Sequence, residues 1–177
     1  DDELRWIIAL LSDTGMRLGE AIGLLKTDIN LCAEVPHVTL KPHPWRRLKT
    51  PGSERQIPLV GASLWAAKRV LKLSPDTPFA IPKYCSEDGH KTNSASAALN
   101  KWLKANSPEG CVVHSFRHSM RDRLRAIECP AEIIDQIGGW STAGVGSSYG
   151  NGYRLEVLSR WMQRIDRPGH HQRTPSN

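Results

Sequence analysis

Leu4, Ile7, Ile8 and Leu11 recur at helical spacing, so the chain opens with an amphipathic helix that ends near Thr14-Gly15. A second helix is predicted from about Arg17 through Leu25, with Ala21, Leu24 and Leu25 on its buried side. The pattern then changes. Val38-Thr39-Leu40, the stretch from Trp45 to Lys49, and Gln56-Ile57-Pro58-Leu59 read as short strands. Thr50-Pro51-Gly52-Ser53 forms the turn between the last two, because proline and glycine favour turn dihedrals. Helical spacing returns over about 62–73 and 94–105, separated by a proline-rich loop at 75–82 and followed by Ser107-Pro108-Glu109-Gly110. Positions 114–126 read as another helix. Pro130 opens a further one carrying Ile133, Ile134 and Ile137, which Gly138-Gly139 ends. A Gly/Ser-rich segment leads to Tyr149, and a last helix sets Leu155, Leu158, Trp161, Met162 and Ile165 on one face. The tail 167–177 is polar and proline-containing and is expected to be flexible.

A chain of 177 residues suits one domain, here 1–166, which would bury roughly 70% of its unfolded surface. Its 39% hydrophobic and 24% charged content describe an ordinary soluble globule. No run approaches the ~20 apolar residues of a membrane span, and no secretory signal opens the chain. The first residues read as a helix entry without an initiator Met, which suggests a domain of a longer protein. Cysteines at 32, 85, 111 and 129 form no CxxC pair, which argues against a zinc ribbon or a secreted disulfide framework and for free thiols in the cytoplasm. The net charge of +6 suits a polyanionic partner, provided the charge gathers on one face.

The candidate chemistry follows from what a phosphodiester needs. Attack at phosphorus builds negative charge that positioned cations and N–H donors stabilise, each worth about 3–4 kcal/mol. Arginine suits the task because its planar fork grips two phosphate oxygens and stays charged. Arg17, in Thr14-Gly-Met-Arg17-Leu-Gly-Glu20, follows a turn where a helix begins, and Glu20 lies on the same face to hold its guanidinium. As a plain surface pair the two would contribute almost nothing. His114 and Arg117, in His114-Ser-Phe-Arg117-His118, share a second face, with His118 as an orienting neighbour. Trp140 offers an indole N–H for a non-bridging oxygen, or else a core aromatic after a Gly-Gly turn.

Tyr149, nine residues after Trp140, is the candidate nucleophile. A phenol of pKa near 10 is only ~0.1% ionised at neutral pH, so it needs neighbouring cations and a base, for which His114 is placed. Tyr153 is the competing tyrosine and otherwise an anchor for the last helix. Lys49 is the candidate general acid for the leaving 5′ oxygen. Lys41, Arg46 and Arg47 compete for that role and otherwise read, with Arg55, as contacts to the DNA backbone. No metal-ligand spacing, Walker loop or dinucleotide fingerprint is present, so neither metal nor cofactor is expected.

With these residues in this order, the chain resembles the catalytic domain of the tyrosine recombinases of the phage-integrase type, from about Glu3 to Ile165. Thr14–Glu20 is similar to the family's first arginine motif. Leu48-Lys49-Thr50 with Arg55-Gln-Ile-Pro-Leu59 resembles its β-hairpin lysine region. His114–His118 resembles the second arginine box, and Trp140 and Tyr149 fall at the family's spacing. The resemblance implies a mainly α fold with a small antiparallel β-sheet (α+β). It also implies cleavage and rejoining of double-stranded DNA attachment sites through a 3′-phosphotyrosyl link, by a homotetramer on DNA that is a monomer when isolated. Accessory DNA-bending or directionality proteins, a nucleoid-associated location and a role in a mobile element accompany it. The family's N-terminal core-binding domain has no counterpart in the chain, which is expected to bind DNA weakly alone. The last helix suits docking on a neighbouring protomer or packing on its own domain. A type IB topoisomerase and a non-catalytic DNA-binding regulator derived from an integrase are the alternative readings.

Overall fold

The computed structural model describes residues 1–48, 53–73, 75–140 and 152–166. Helix α1 (Glu3–Thr14) runs through the core. Asp2 caps it by accepting from the Arg5 amide at 3.0 Å, and Gly15 ends it in the left-handed conformation at φ 65°. Its apolar stripe buries Ile7 and Leu10 completely. Against it pack α3 (Gly61–Leu73) most extensively and α5 (Ser115–Ala126) on another side. Burying each such aliphatic side chain stabilises by about 1.5–3 kcal/mol.

The strand predictions hold in two of three places. β1 (Ile29–Asn30), β2 (His37–Leu40) and β3 (Arg55–Pro58) form an antiparallel sheet in that order, with Val38 opposite Ile29 and Ile57. β1 escaped prediction because two residues carry no periodicity. Of Trp45 to Lys49, read as strand, Trp45 and Arg46 instead close a tight turn in which His43 and Arg46 exchange backbone hydrogen bonds of 3.0 Å, and Arg47 and Leu48 follow as irregular chain. The Thr50 turn lies, apart from Ser53, outside the described residues. A second hairpin, β4 (Cys85–Ser86) with β5 (Gly89–His90), lies beyond the predicted 75–82 loop, where no element was predicted.

Helix α2 (Leu18–Ile22) is shorter than predicted. Gly23 stops it, followed by a 3-10 turn at Lys26–Asp28. Only glycine fits there, because a Cβ would lie 2.6 Å from Cδ of Arg46, which crosses over the backbone. Helices α4 (Thr92–Asn106), α6 (Ala131–Gly138) and α7 (Leu155–Asp166) complete the described elements. The stripe of α7 packs on its own domain: Leu158 and Met162 are buried where the helix meets β3 and α5. Among the described residues no helix is long and apolar enough to cross a membrane.

Candidate functional site

The turn after α1 and the start of α2 shape the first half of the site. Arg17 precedes α2; its amide donates to Glu20 Oε2 at 2.9 Å and its Nη1 to Glu20 Oε1 at 2.7 Å. The pair is not the weak surface contact that sequence alone allows. Glu20 is 4% exposed, and the Arg17 side chain keeps 28% of its surface open. Arg17 Nη1 also donates to Ser53 Oγ at 3.2 Å, which links it to the start of β3.

Helix α5 brings the second half. His114 is its N-cap and is exposed, whereas Arg117, one turn on, is buried. Arg117 Nη1 donates to the carbonyl of Gly15, so the two arginine segments are tied at the turn that precedes Arg17. Its Nη2 is buried with no hydrogen-bond partner among the described residues. An orphaned donor of this kind calls for an acceptor that arrives from outside. Trp140 lies over the guanidinium, its ring centroid 4.4 Å from the Arg117 carbon and 5.3 Å from that of Arg121. Arg121 went unremarked in the sequence, although its position one turn beyond Arg117 puts both on one face. His118 is exposed and sets its ring edge-on to His114 at 4.8 Å, which helps hold that imidazole.

Arg17, His114 and Arg117 line one open cleft of about 240 Å³. Met16 and Val113 form apolar parts of its wall, and Thr92, Asn93 and Ser96 at the start of α4 line it as well. These three polar residues escaped the sequence reading, since a helix start in Ser, Thr and Asn looks like ordinary capping.

The charges are strongly coupled. Burial works to raise the Glu20 carboxyl, but the charge and hydrogen bonds of Arg55, with those of Arg17, outweigh it and hold its pKa below the ordinary carboxylate value. Burial, then the nearby charges of Arg17 and Arg55, lowers the Arg117 guanidinium to about 10. It stays protonated at neutral pH, and a bound anion would relieve the strain of the crowded positive charge.

Two of the four expected DNA-backbone contacts are corrected. Arg46 is 1% exposed; Nη1 donates to the Glu20 carbonyl at 2.9 Å and Nη2 to the Lys41 carbonyl at 2.6 Å. Arg55 is also buried and donates to Glu20 Oε2 at 3.1 Å and to the Ile137 carbonyl at 2.8 Å. Both donor sets are turned inward, away from any phosphate. Lys41 and Arg47 remain exposed on the surface. Lys49 and Tyr149 lie outside the described residues. The competing Tyr153 is anchored: its hydroxyl donates to Glu132 at 2.7 Å, and its backbone exchanges two hydrogen bonds with Gln136. Among the described residues no three His, Cys, Asp or Glu side chains gather as a metal site requires.

Residues 2–153 match the phage integrase family. Solved structures with a similar fold include the Tn1549 transposon integrase in complex with circular intermediate DNA, at 21% identity and a TM-score of 0.56, covering 88% of this chain and 55% of that one. The XerH site-specific recombinase bound to palindromic difH substrate is similar at 18% identity and 0.58, covering 93% and 42%. XerA recombinase is similar at 19% identity and 0.58, covering 95% and 60%. The chain thus spans about half the length of these proteins. No curated protein sequence matches it. On the match over most of its length, with the fold and the two arginine segments that meet at one cleft, the chain belongs to the phage integrase family and has the fold of its tyrosine recombinase catalytic domain.

Proposed function

We propose that this protein is a site-specific DNA recombinase that cleaves and rejoins DNA in the integration or excision of a mobile element. The carrying observation is the cleft at which Arg17 and Arg117, from opposite halves of the chain, meet beside His114 while Arg117 keeps a buried donor unspent. The two guanidinium groups hold the non-bridging oxygens of the scissile phosphate, with Trp140 as a further donor. Tyr149 Oη attacks phosphorus; the 3′-phosphotyrosyl bond forms as the bond to the 5′ oxygen breaks. His114 accepts the phenolic proton, and Lys49 supplies one to the leaving oxygen. Attack by the 5′ hydroxyl of a second strand reverses these steps, so the bond energy is conserved and no cofactor is consumed. The substrate is double-stranded DNA attachment sites, paired by a homotetramer of a protein that is monomeric when free, with bending or directionality proteins as accessories. That XerH is described bound to difH, and the Tn1549 integrase with circular intermediate DNA, supports this substrate class.

The test is covalent trapping on a nicked suicide duplex, with Tyr149→Phe beside wild type. An SDS-resistant adduct from wild type alone is expected. Persistence of the adduct in Tyr149→Phe would move the nucleophile to another tyrosine.

A further inference from the structure

Arg55 matches neither of the roles an exposed basic residue would have here, and its surroundings suggest a third. Its side chain is 4% exposed and sits among three segments: α2, the end of α6 and the chain just before β3. Nη2 donates to Glu20 Oε2 at 3.1 Å, and the other oxygen of that carboxylate receives Arg17 Nη1 at 2.7 Å. Nε donates to the carbonyl of Ile137 at 2.8 Å, three residues ahead of Trp140. Nη1 donates to the carbonyl of Ser53 at 2.7 Å, at the return of the β2–β3 connection. The backbone of Gly139 passes so close that a Cβ there would lie 2.8 Å from Arg55 Nη1, at a φ of +59° that already favours glycine.

We infer that Arg55 is a positioning residue, which sets Arg17 through Glu20 and Trp140 through the end of α6, so that the two meet the same phosphate. This rests on the cleavage chemistry proposed above. A rigid fork is what the task requires: three donor directions leave Arg55 in one plane toward three acceptors. Lysine offers the same charge from a single nitrogen and cannot reach all three.

The experiment uses the full chain and a nicked suicide duplex selected from a random-sequence pool by adduct formation with wild type. Arg55→Lys keeps the charge, and Glu20→Gln breaks the same relay from its centre. At saturating DNA, Arg55→Lys should slow adduct formation by about 100-fold, the scale of a small misplacement of reacting groups. DNA affinity and its salt slope should stay at wild-type values. The double variant should be no slower than the slower single one, because both cut one relay. A wild-type rate in Arg55→Lys, or losses that simply multiply in the double variant, would overturn the inference. So would a salt slope lower by about one, which marks a direct phosphate contact. If wild type forms no adduct, the recombinase reading fails but the positioning claim is still tested. The Arg17 Nη1–H NMR signal, slowly exchanging while Glu20 holds that nitrogen, should then vanish in Arg55→Lys; its persistence would refute the relay.

Discussion

Two clusters of arginine and carboxylate flank α2, and they use the same side chains in opposite ways. Around Asp28, whose carboxylate is fully buried, the Leu25 amide donates at 3.0 Å and His43 Nε2 lies at 2.8 Å, with Arg46 at 3.7 Å and Lys41 at 3.8 Å. Both terminal nitrogens of Arg46 are spent on carbonyls of its own fold. Around Glu20, by contrast, Arg17 stays partly exposed and neighbouring Arg117 keeps a buried donor unused. An arginine sealed in the interior with both terminal nitrogens on carbonyls holds the chain together, even though Nε of Arg46 is itself buried without a partner among the described residues. One that keeps a terminal nitrogen unspent and lines an open cleft is poised for a ligand. Net charge cannot separate the two, and neither can a motif; the hydrogen-bond account does so only together with access to the cleft.

The contrast can be broken by substitution. At the open cluster, Arg17→Ala and Arg117→Ala should each reduce adduct formation by several orders of magnitude, since a lost oxyanion donor alone removes about 100- to 1,000-fold. Single-turnover trapping reads this directly, and a loss below tenfold in either would remove that residue from the site. At the closed cluster, Arg46→Ala should lower unfolding free energy by roughly 3–5 kcal/mol, the usual result of breaking a buried charge pair from one side. Its cleavage per folded molecule should stay near wild type. Urea denaturation that shows no change would mean that Arg46 is as dispensable as a surface cation.

Acid separates the clusters more gently. Because the folded Glu20 pKa lies below its ordinary value of 4.5, its stabilising contribution is complete above that value and is lost as pH falls through the folded pKa. Urea midpoints should therefore fall between pH 5 and pH 3 (roughly, from the ordinary carboxylate range) more steeply in wild type than in Glu20→Gln. Equal slopes would detach Glu20 from the acid response. Arg117 shows the reverse sign: a cation depressed to about 10 is a cost to the fold at neutral pH. Inorganic phosphate should relieve that cost and raise the melting temperature by a few degrees (about 1 kcal/mol of linkage), and Arg117→Ala should abolish the rise. The smallest effect belongs to the surface. Lys41→Ala and Arg47→Ala should each reduce the salt slope of DNA binding by about one, whereas an unchanged slope would leave the face around the hairpin without a DNA role.

Much of the fold was legible because its signals are local. The stripe of α1, the isoleucines of α6 and the apolar face of α7 each announce a helix by spacing alone, and Gly15 and Gly139 mark helix ends through the positive φ each adopts. The stretch from Trp45 to Leu48 misled because bulky Trp45 and Leu48 stand between proline-containing turn segments, as they do around a short strand. What decides its shape is a contact with Gly23 and the Glu20 carbonyl, more than twenty positions away. The same blindness assigned Arg46 and Arg55 to the surface: exposure is the usual state of arginine, and burial is set by acceptors that no local window contains.

The amino-acid sequence by itself determined most of the helices and two strands of the main sheet, the presence of two arginine segments with a carboxylate and a histidine, and hence the family. Spacing carries that information, since helical periodicity and capping act within a few residues of each position. Only the tertiary structure decided which cations face a ligand and which are consumed by the fold. It brought Arg117 against Gly15, enclosed Glu20 between Arg17 and Arg55, and sealed Arg46 over Gly23. Those outcomes depend on desolvation and on acceptors contributed by distant segments, and these come into being only when the chain is packed.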